Sequence, residues 1–352
     1  MNVYIVDGLN GIEDIIDTFE SLILNVQFYG IDDFEFIVPG TNKNITRLPI
    51  GKLLVREEDA TEDGFKNVMR IQNRRIDYDS ERGWLLTLTG GGLKSIVRQR
   101  CISSQMGFSG LVEQGLRQII TDNIIDPEDS ARQIPNFVLA AEQGYTDVFE
   151  CQLLGENIAD WMTEILPSYG IGWTVDIIGG QYVLTFKKGV NRSYSQTENI
   201  PVVFSPEFDN LLNASYSYET TEYKNAGVVG GEGDGANQVS TTVGSAEGLD
   251  RYETYIDGSS VSSNGEIITM ETYINMLKEA GNAELNAASH VETFEGNIIW
   301  DGVYKLNQDF FLGDIVQIDN GLMQATTQIT EIIYSEDTNG SAVTPTFGDF
   351  II

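Results

Sequence analysis

The chain has 352 residues, with 21 Lys and Arg against 53 Asp and Glu, and a formal net charge of −32. That balance excludes a nucleic-acid backbone as a ligand, because displacing condensed counterions takes clustered cations. It fits a surface that repels DNA. At 41% hydrophobic and 21% charged residues the composition is globular, and the length allows roughly two to four domains with cores of their own.

Cys101 and Cys151 are the only cysteines. They are too few for a disulfide framework or a zinc site, so free thiols are expected. The opening Met1–Asp7 lacks the basic and apolar regions of a signal peptide, and no apolar run approaches a membrane span. Synthesis in the cytoplasm without a cleaved leader is the expectation.

Residues 3–97 read mostly as strands. Val3 and Ile5 begin the first, Leu22–Leu24 with Val26–Phe28 the next, and Phe34–Val38 follows until Pro39-Gly40 breaks it. Leu53–Val55, Val68–Ile76 and Trp84–Thr89 come after. Short strands at this spacing suggest a small barrel or sandwich. Gly90-Gly91-Gly92-Leu93-Lys94-Ser95 fails as a phosphate loop. Leu93 separates the last glycine from Lys94, and the first glycine of G-x-x-x-x-G-K-[ST] is missing. The stretch reads as a strand-to-helix turn. Arg70, Arg74, Arg75, Lys94, Arg98 and Arg100 lie close in sequence; in so acidic a chain they read as ion pairs or a subunit contact.

From Cys101 to Asn199 the pattern becomes α/β. Leu111, Val112, Leu116, Ile119 and Ile120 fall on one helical face. A second helix carries Ile158, Trp161, Met162 and Ile165, stops near Pro167 and leaves Gly170 to turn the chain. Its Trp and Met stripe reads as core. Residues 172–178 and 181–187 form a hairpin across Gly179-Gly180.

The central block, Ile200–Asp257, reads strand, tight turn, strand, glycine hairpin, strand, with Tyr216, Tyr218 and Tyr223 suited to a half-buried antiparallel sheet. Within it, the Gly-, Ser- and Thr-rich residues 230–248 read as a hairpin tip or loop. A helix follows from about Glu266 to Ser289, with Met270, Tyr273, Ile274, Leu277 and Leu285 as its stripe. His290, just past its end, reads as a cap or surface residue. Strands return at 291–299, 303–306, 314–319 and 324–334, and a turn-rich tail runs from Ser335 to Ile352.

Several runs in this order carry a family resemblance. They are Phe19-Glu20-Ser21-Leu22, Asp32-Asp33-Phe34-Glu35-Phe36, the run from Phe204 through Ser205-Pro206-Glu207-Phe208-Asp209-Asn210 to Leu212, and Tyr223-Lys224-Asn225. Gly230-Gly231-Glu232-Gly233-Asp234-Gly235, Gly248-Leu249-Asp250-Arg251-Tyr252-Glu253, Phe294-Glu295-Gly296 and Leu312-Gly313-Asp314-Ile315-Val316 continue them. Together they span nearly the whole chain, which resembles the tail-hub proteins of long-tailed bacteriophages. Relatives of that family include the amino-terminal part of tail-associated lysins and the baseplate hub of contractile tails.

The resemblance implies a homotrimer at the tip of the tail tube, made in the host cytoplasm and carried in the virion. Its fold would be mainly β with α/β insertions: two related antiparallel β-barrel tube domains plus two smaller domains. Residues 1–100 would be the first barrel and 101–200 an α/β domain. The second barrel would join 201–232 to 291–352, the latter including the C-terminal tail, with 233–290 inserted as a segment carrying one helix. The implied partners are the distal tail ring protein, the tape-measure protein and a tail fibre or tip protein. Phage DNA would pass without specific binding.

An internal repeat fits this plan. Sliding Phe19 onto Phe208, an offset of 189, sets Leu22 on Leu211, Ile23 on Leu212 and Tyr29 on Tyr218. Ile50–Val55 likewise resembles Leu312–Gln317. Two such units in each of three chains would give six around an axis and match a hexameric ring.

Catalytic, cofactor-binding and metal residues are not assigned, and the chain reads as a structural protein. Its 53 acids create carboxylate pairs everywhere, so none stands out as a glycosidase pair. A Ser-His-Asp or Cys-His arrangement could use only His290. Glu232-Gly233-Asp234-Gly235 lacks the order of a calcium loop. The alternatives are a tail-associated cell-wall hydrolase and a carbohydrate-binding tip adhesin using Tyr216, Tyr218, Tyr223, Tyr252 and Tyr255. A hub that passes DNA should have a net acidic lumen, with Glu20, Glu35, Asp209 and Glu219 as candidates. A one-residue change of strand phase moves any of them to the other face.

Overall fold

A computed structural model of the chain describes residues 2–9, 11–263, 268–288, 291–322, 324–338 and 340–351. Alternation builds its first part: β1 (Val3–Val6), β2 (Ile12–Ile16), β3 (Ser21–Gln27) and β4 (Asp33–Pro39), followed by α1 (Asn42–Arg47). Next come β5 (Leu53–Arg56), β6 (Ala60–Thr61), β7 (Gly64–Phe65) and the long hairpin of β8 (Met69–Asp79) and β9 (Gly83–Gly92). Leu22, Leu24, Val26, Phe34, Phe36 and Val38 are all buried, and the residues between them are half-buried or exposed. A period of two aims the apolar set at one core and the polar set away from it.

The α/β part holds α2 (Lys94–Val97), β10 (Met106–Leu111), α3 (Val112–Ile120), β11 (Phe137–Leu139), β12 (Val148–Leu153), α4 (Ile158–Ile165), β13 (Ile171–Ile178) and β14 (Gln181–Lys188). Both expected helical stripes enter a core that also contains Trp173. The Asn157 side chain caps α4 by accepting from the Ala159 and Asp160 amides. Gly179 and Gly180 have φ of 56° and 74°, the two positive values a tight hairpin turn requires.

The remainder is β15 (Val203–Phe204), β16 (Leu211–Glu219), β17 (Ala226–Gly230), β18 (Ser240–Val243), β19 (Glu253–Asp257), α5 (Met270–Ala287), β20 (Val291–Ile298), β21 (Ile315–Asp319), β22 (Gln324–Asp337) and β23 (Gly340–Ile351). β17 pairs antiparallel with β18 and parallel with β19, so the stretch read as a loop at 230–248 contains a strand. Val229, Val243 and Ile256 of this sheet share a core with Tyr273, Met276 and Leu277 of α5.

The main sheet runs β15-β21-β22-β3-β4-β9-β8-β5-β1-β2, with β23 also on β22. The expectation of two closed barrels is corrected. One open sheet passes through both halves, and among the described residues no pairing closes it. Strand length is the reason. β22 has 14 residues and β21 has 5. The first residues of β22 pair with β21, and its overhang from Glu331 to Asp337 pairs with β3.

Two further readings change. Val303–Leu306 is a turn region with isolated bridges, not a strand. Ser335–Ile352 is not a turn-rich tail: it holds the end of β22 and all of β23. Glycine and proline suggested turns there, but pairing with the long β22 overrides the local signal.

The two halves share one strand order. The first reads β3-β4-β9-β8-β5. In the second, β16 pairs with β20, β20 lies alongside β23, and β23-β22-β21 follows. With Phe34 matched to Phe294, the strand register sets Ser21 on Leu212 before the one-residue bulge in β16 and Ile23 on Ser215 after it, so the offsets are 191 and 192 rather than 189. Leu24 faces Phe34, and Tyr216 faces Phe294. By strand register, Leu24 therefore corresponds to Tyr216, not to Asn213.

Candidate functional site

A set of acidic side chains lies on the face of the main sheet opposite the Leu22–Leu24–Phe36 core. Register places its members side by side. Asn25 lies between Asp33 and Ile333, Ile23 between Glu35 and Ser335, and Gln27 opposite Glu331. Across the sheet, Glu35 meets Thr89, Thr87 meets Arg75 and Leu85 meets Asp77. Asp33, Glu35, Asp77 and Glu331 thus share a face with Arg75, whose Nε lies 2.7 Å from Asp77 Oδ2. Asn25 Nδ2 donates to Asp33 Oδ2 at 3.2 Å. Burial pushes the Asp33 carboxyl above its usual value against that hydrogen bond, and the neighbouring Glu331 and Asp32 charges add to the shift. Like charges gathered on one surface have this effect.

Of the acids singled out from sequence, Glu35 is on this face. Glu20 extends the ladder through its amide to the Ile37 carbonyl, in phase with Leu22 and therefore on the other side. Asp209 caps the short helical turn Pro206–Phe208 at φ 52°, and the exposed Glu219 ends β16. The face does not bring these together. Asp33 was legible in the run Asp32–Phe36, since buried Phe34 and Phe36 turn their neighbours outward. Glu331 was not, because its place depends on a strand some 300 residues away.

The motif runs build the junction that holds this sheet on the α/β layer. Phe28 is fully buried. A Cβ on Gly172 would stand 2.4 Å from its ring, and one on Gly313 2.1 Å. Asp314, 2% exposed, accepts from the amides of Val190 at 2.8 Å and Phe311 at 3.0 Å, and from Arg192 Nε at 2.8 Å. Leu312-Gly313-Asp314 is thus a close-packed corner. In the Ser205–Asn210 turn, Asn210 Oδ1 accepts from the Ser205 amide at 2.8 Å, and Asn210 Nδ2 donates to the Val203 carbonyl at 2.9 Å.

Residues 2–349 match the family model of the Siphovirus ReqiPepy6 Gp37-like protein. The chain belongs to that family. No curated protein sequence matches it. Among solved structures it is similar to the tail protein from Neisseria meningitidis MC58, with TM-score 0.58 at 14% identity over 99% of this chain and 96% of that one. The 43 kDa tail protein of prophage MuSo2 from Shewanella oneidensis gives 0.58 at 11%, covering 99% and 98%. Prophage tail protein gp18 from Listeria monocytogenes EGD-e gives 0.53 at 15%, covering 98% and 94%. The fold is that of phage tail proteins.

Other features singled out in this Gp37-like chain find internal partners. Lys94 is buried and donates to the carbonyls of Gln27 and Gly30 and to Asp32 Oδ1, the last two at 2.9 and 3.1 Å. Its ammonium completes the junction rather than meeting a phosphate. Arg98 pairs with Asp160, Arg74 donates to the Ile45 carbonyl and Arg100 to the Arg132 carbonyl, so the cation cluster is dispersed. Glu232 accepts from the hydroxyls of Ser262 at 2.5 Å and Ser263 at 2.6 Å, which hold its carboxyl below the usual range. No cluster of three or more metal-ligating side chains occurs among the described residues. Cys101 is exposed and Cys151 buried, both free. Tyr223 and Tyr252 pack ring against ring at 5.3 Å, and Tyr255 bonds Gln238. Only the backbone of Tyr216 and Tyr218 is described, and His290 lies outside the described residues.

Proposed function

We propose that this chain is a non-enzymatic structural hub of a phage or prophage tail tip, acting as a homotrimer. The observation that carries the reading is the repeated strand order, β3-β4-β9-β8-β5 in one half and β16-β20 beside β23-β22-β21 in the other: two similar halves per chain give six similar units per trimer. Residues 1–100, and 201–232 with 291–352, are the tube domains, each closing only when copies assemble. Residues 101–200 and 233–290 are the smaller domains outside them. A ring of six similar units can seat on a hexameric tail ring with every contact matched. The distal tail ring protein and the tape-measure protein are the partners on the tube side, and a tail fibre or tip protein is the partner on the other.

The polar sheet face is the lumen wall in this reading. Duplex DNA carries about one negative charge per 1.7 Å, so a basic wall would bind it and stall its passage. Asp33, Glu35, Asp77 and Glu331, with Arg75 tied to Asp77, keep contacts weak, and screening limits the repulsion to about 8–10 Å from the wall at physiological salt. Light scattering tests the assembly: the expected mass is three times the 39.0 kDa chain. A strictly monomeric species at high concentration refutes the hub. Tight, salt-sensitive binding of duplex DNA refutes the acidic lumen, and a cleared zone on a peptidoglycan zymogram refutes the non-enzymatic reading.

A further inference from the structure

Among the described residues, the outer half of β8 is paired on one edge only. Among the described residues β5 pairs with β8 only at Met69 and Arg70, while β9 follows it to Asp79. From Asn73 to Asp79 no described strand lies on the other edge. The tip of this hairpin leaves its apolar side chains open: Ile76 is 45% exposed, Tyr78 64% and Trp84 57%, with Tyr78 packed on Trp84 at 5.2 Å. Those three are in phase with the buried Leu86 and Leu88 of β9, so they prolong the core face beyond the body.

The second half of the same chain shows what covers such an overhang. β22 occupies the place of β8, and its overhang from Glu331 to Asp337 is paired with β3. The two overhangs match in sequence, Ile76-Asp77-Tyr78 against Ile332-Ile333-Tyr334. Tyr334, the counterpart of Tyr78, is covered on that junction by the Arg56 guanidinium, 3.7 Å from its ring centre. The counterpart of β3 is β16, which among the described strands pairs with β20 alone.

We infer that the β8 overhang pairs antiparallel with β16 of a second copy of this chain, repeating between copies the β22–β3 junction found within one. The inference rests on the trimer reading and adds its interface. Strand register fixes the partners. Within the chain, Glu331 faces Gln27, Ile332 faces Val26 and Tyr334 faces Leu24. With Leu24 matched to Tyr216, the equivalent contacts set Arg75 opposite Glu219, Ile76 opposite Tyr218 and Tyr78 opposite Tyr216 of the neighbour. The first is a complementary charge pair, and the others put apolar residues on strand formers. An edge strand supplies main-chain affinity, and the side chains set the register. Charges on an edge also discourage indiscriminate pairing, and Arg74, Arg75 and Asp77 serve that end on the free chain. The contact is head-to-tail, so junctions within and between chains alternate until three copies close the sheet.

The test uses the full chain with Cys101→Ser. Tyr78→Cys with Tyr216→Cys is oxidised and compared with Tyr78→Cys with Asn213→Cys, the pairing that the ungapped offset would give. The expected result is a covalent trimer from the first pair and none from the second. Separately, Arg75→Glu should raise the trimer dissociation midpoint by roughly tenfold, and adding Glu219→Arg should restore it to within about threefold. A stable trimer that neither cross-links through 78 and 216 nor responds to Arg75→Glu overturns this interface and leaves the trimer reading standing. A chain that stays monomeric under light scattering removes both.

Discussion

Gly313→Ala is expected to destabilise the fold by about 2–5 kcal/mol, from two separable causes. The backbone there has φ of 97°, a region where a side chain costs about 1–2 kcal/mol. The new Cβ would also stand 2.1 Å from Phe28 Cε2 and 2.5 Å from Cζ. Phe28 is fully buried and cannot swing away, and overpacking of this kind costs about 1–3 kcal/mol. Phe28→Ala alone opens a cavity at about 3–5 kcal/mol. In the double variant the collision is gone while the backbone cost stays, so the pair should cost about 1–3 kcal/mol less than the sum of the singles. Gly172 is the control: its Cβ would lie 2.4 Å from the same ring, with no left-handed φ. Phe28→Ala should therefore remove nearly all of the Gly172→Ala penalty and only part of that of Gly313→Ala. Urea midpoints at constant slope, followed by tryptophan fluorescence, measure all five variants. Additivity within about 0.5 kcal/mol would refute the argument that these glycines exist to admit Phe28.

Asp314→Ala leaves the Val190 and Phe311 amides and the Arg192 guanidinium without their shared acceptor. A loss of about 3–5 kcal/mol is expected in the same assay, and Asp314→Asn should lose less because its carbonyl still accepts. The folded-state pKa of Asp33 is raised by burial and by Glu331. Its contribution is therefore full below the unfolded value and is lost as pH rises through the folded one. Asp33→Asn should raise the melting temperature at pH 7 and lose that advantage below pH 3.8. Equal gains at both pH values would contradict the assignment. Burial pushes the Cys151 thiol up to about 12, while Cys101 is exposed. Intact-mass analysis after iodoacetamide should show one adduct on the native chain, at Cys101, and two after unfolding.

What the sequence determined by itself was local. Phe34 and Phe36 set the phase of β4, the apolar stripes marked α3 and α4, and Gly179-Gly180 marked the hairpin between β13 and β14, because each signal lies within one period of the element it builds. The motif runs also pointed to the tail-protein fold. Tertiary structure decided the rest. Val303–Leu306 lost its strand, and the tail gained one by pairing with β22. Lys94 was drawn into the junction by the carbonyls of Gln27 and Gly30, which no spacing rule announces. The bulge in β16 broke the constant offset of the repeat, because one strand acquires a residue that its partner lacks. Above all, the pairing of Val26 with Ile332 turned two expected barrels into one open sheet. Which distant strands share an edge depends on the length each leaves uncovered and on the core they jointly bury, and neither is written in the period of either strand alone.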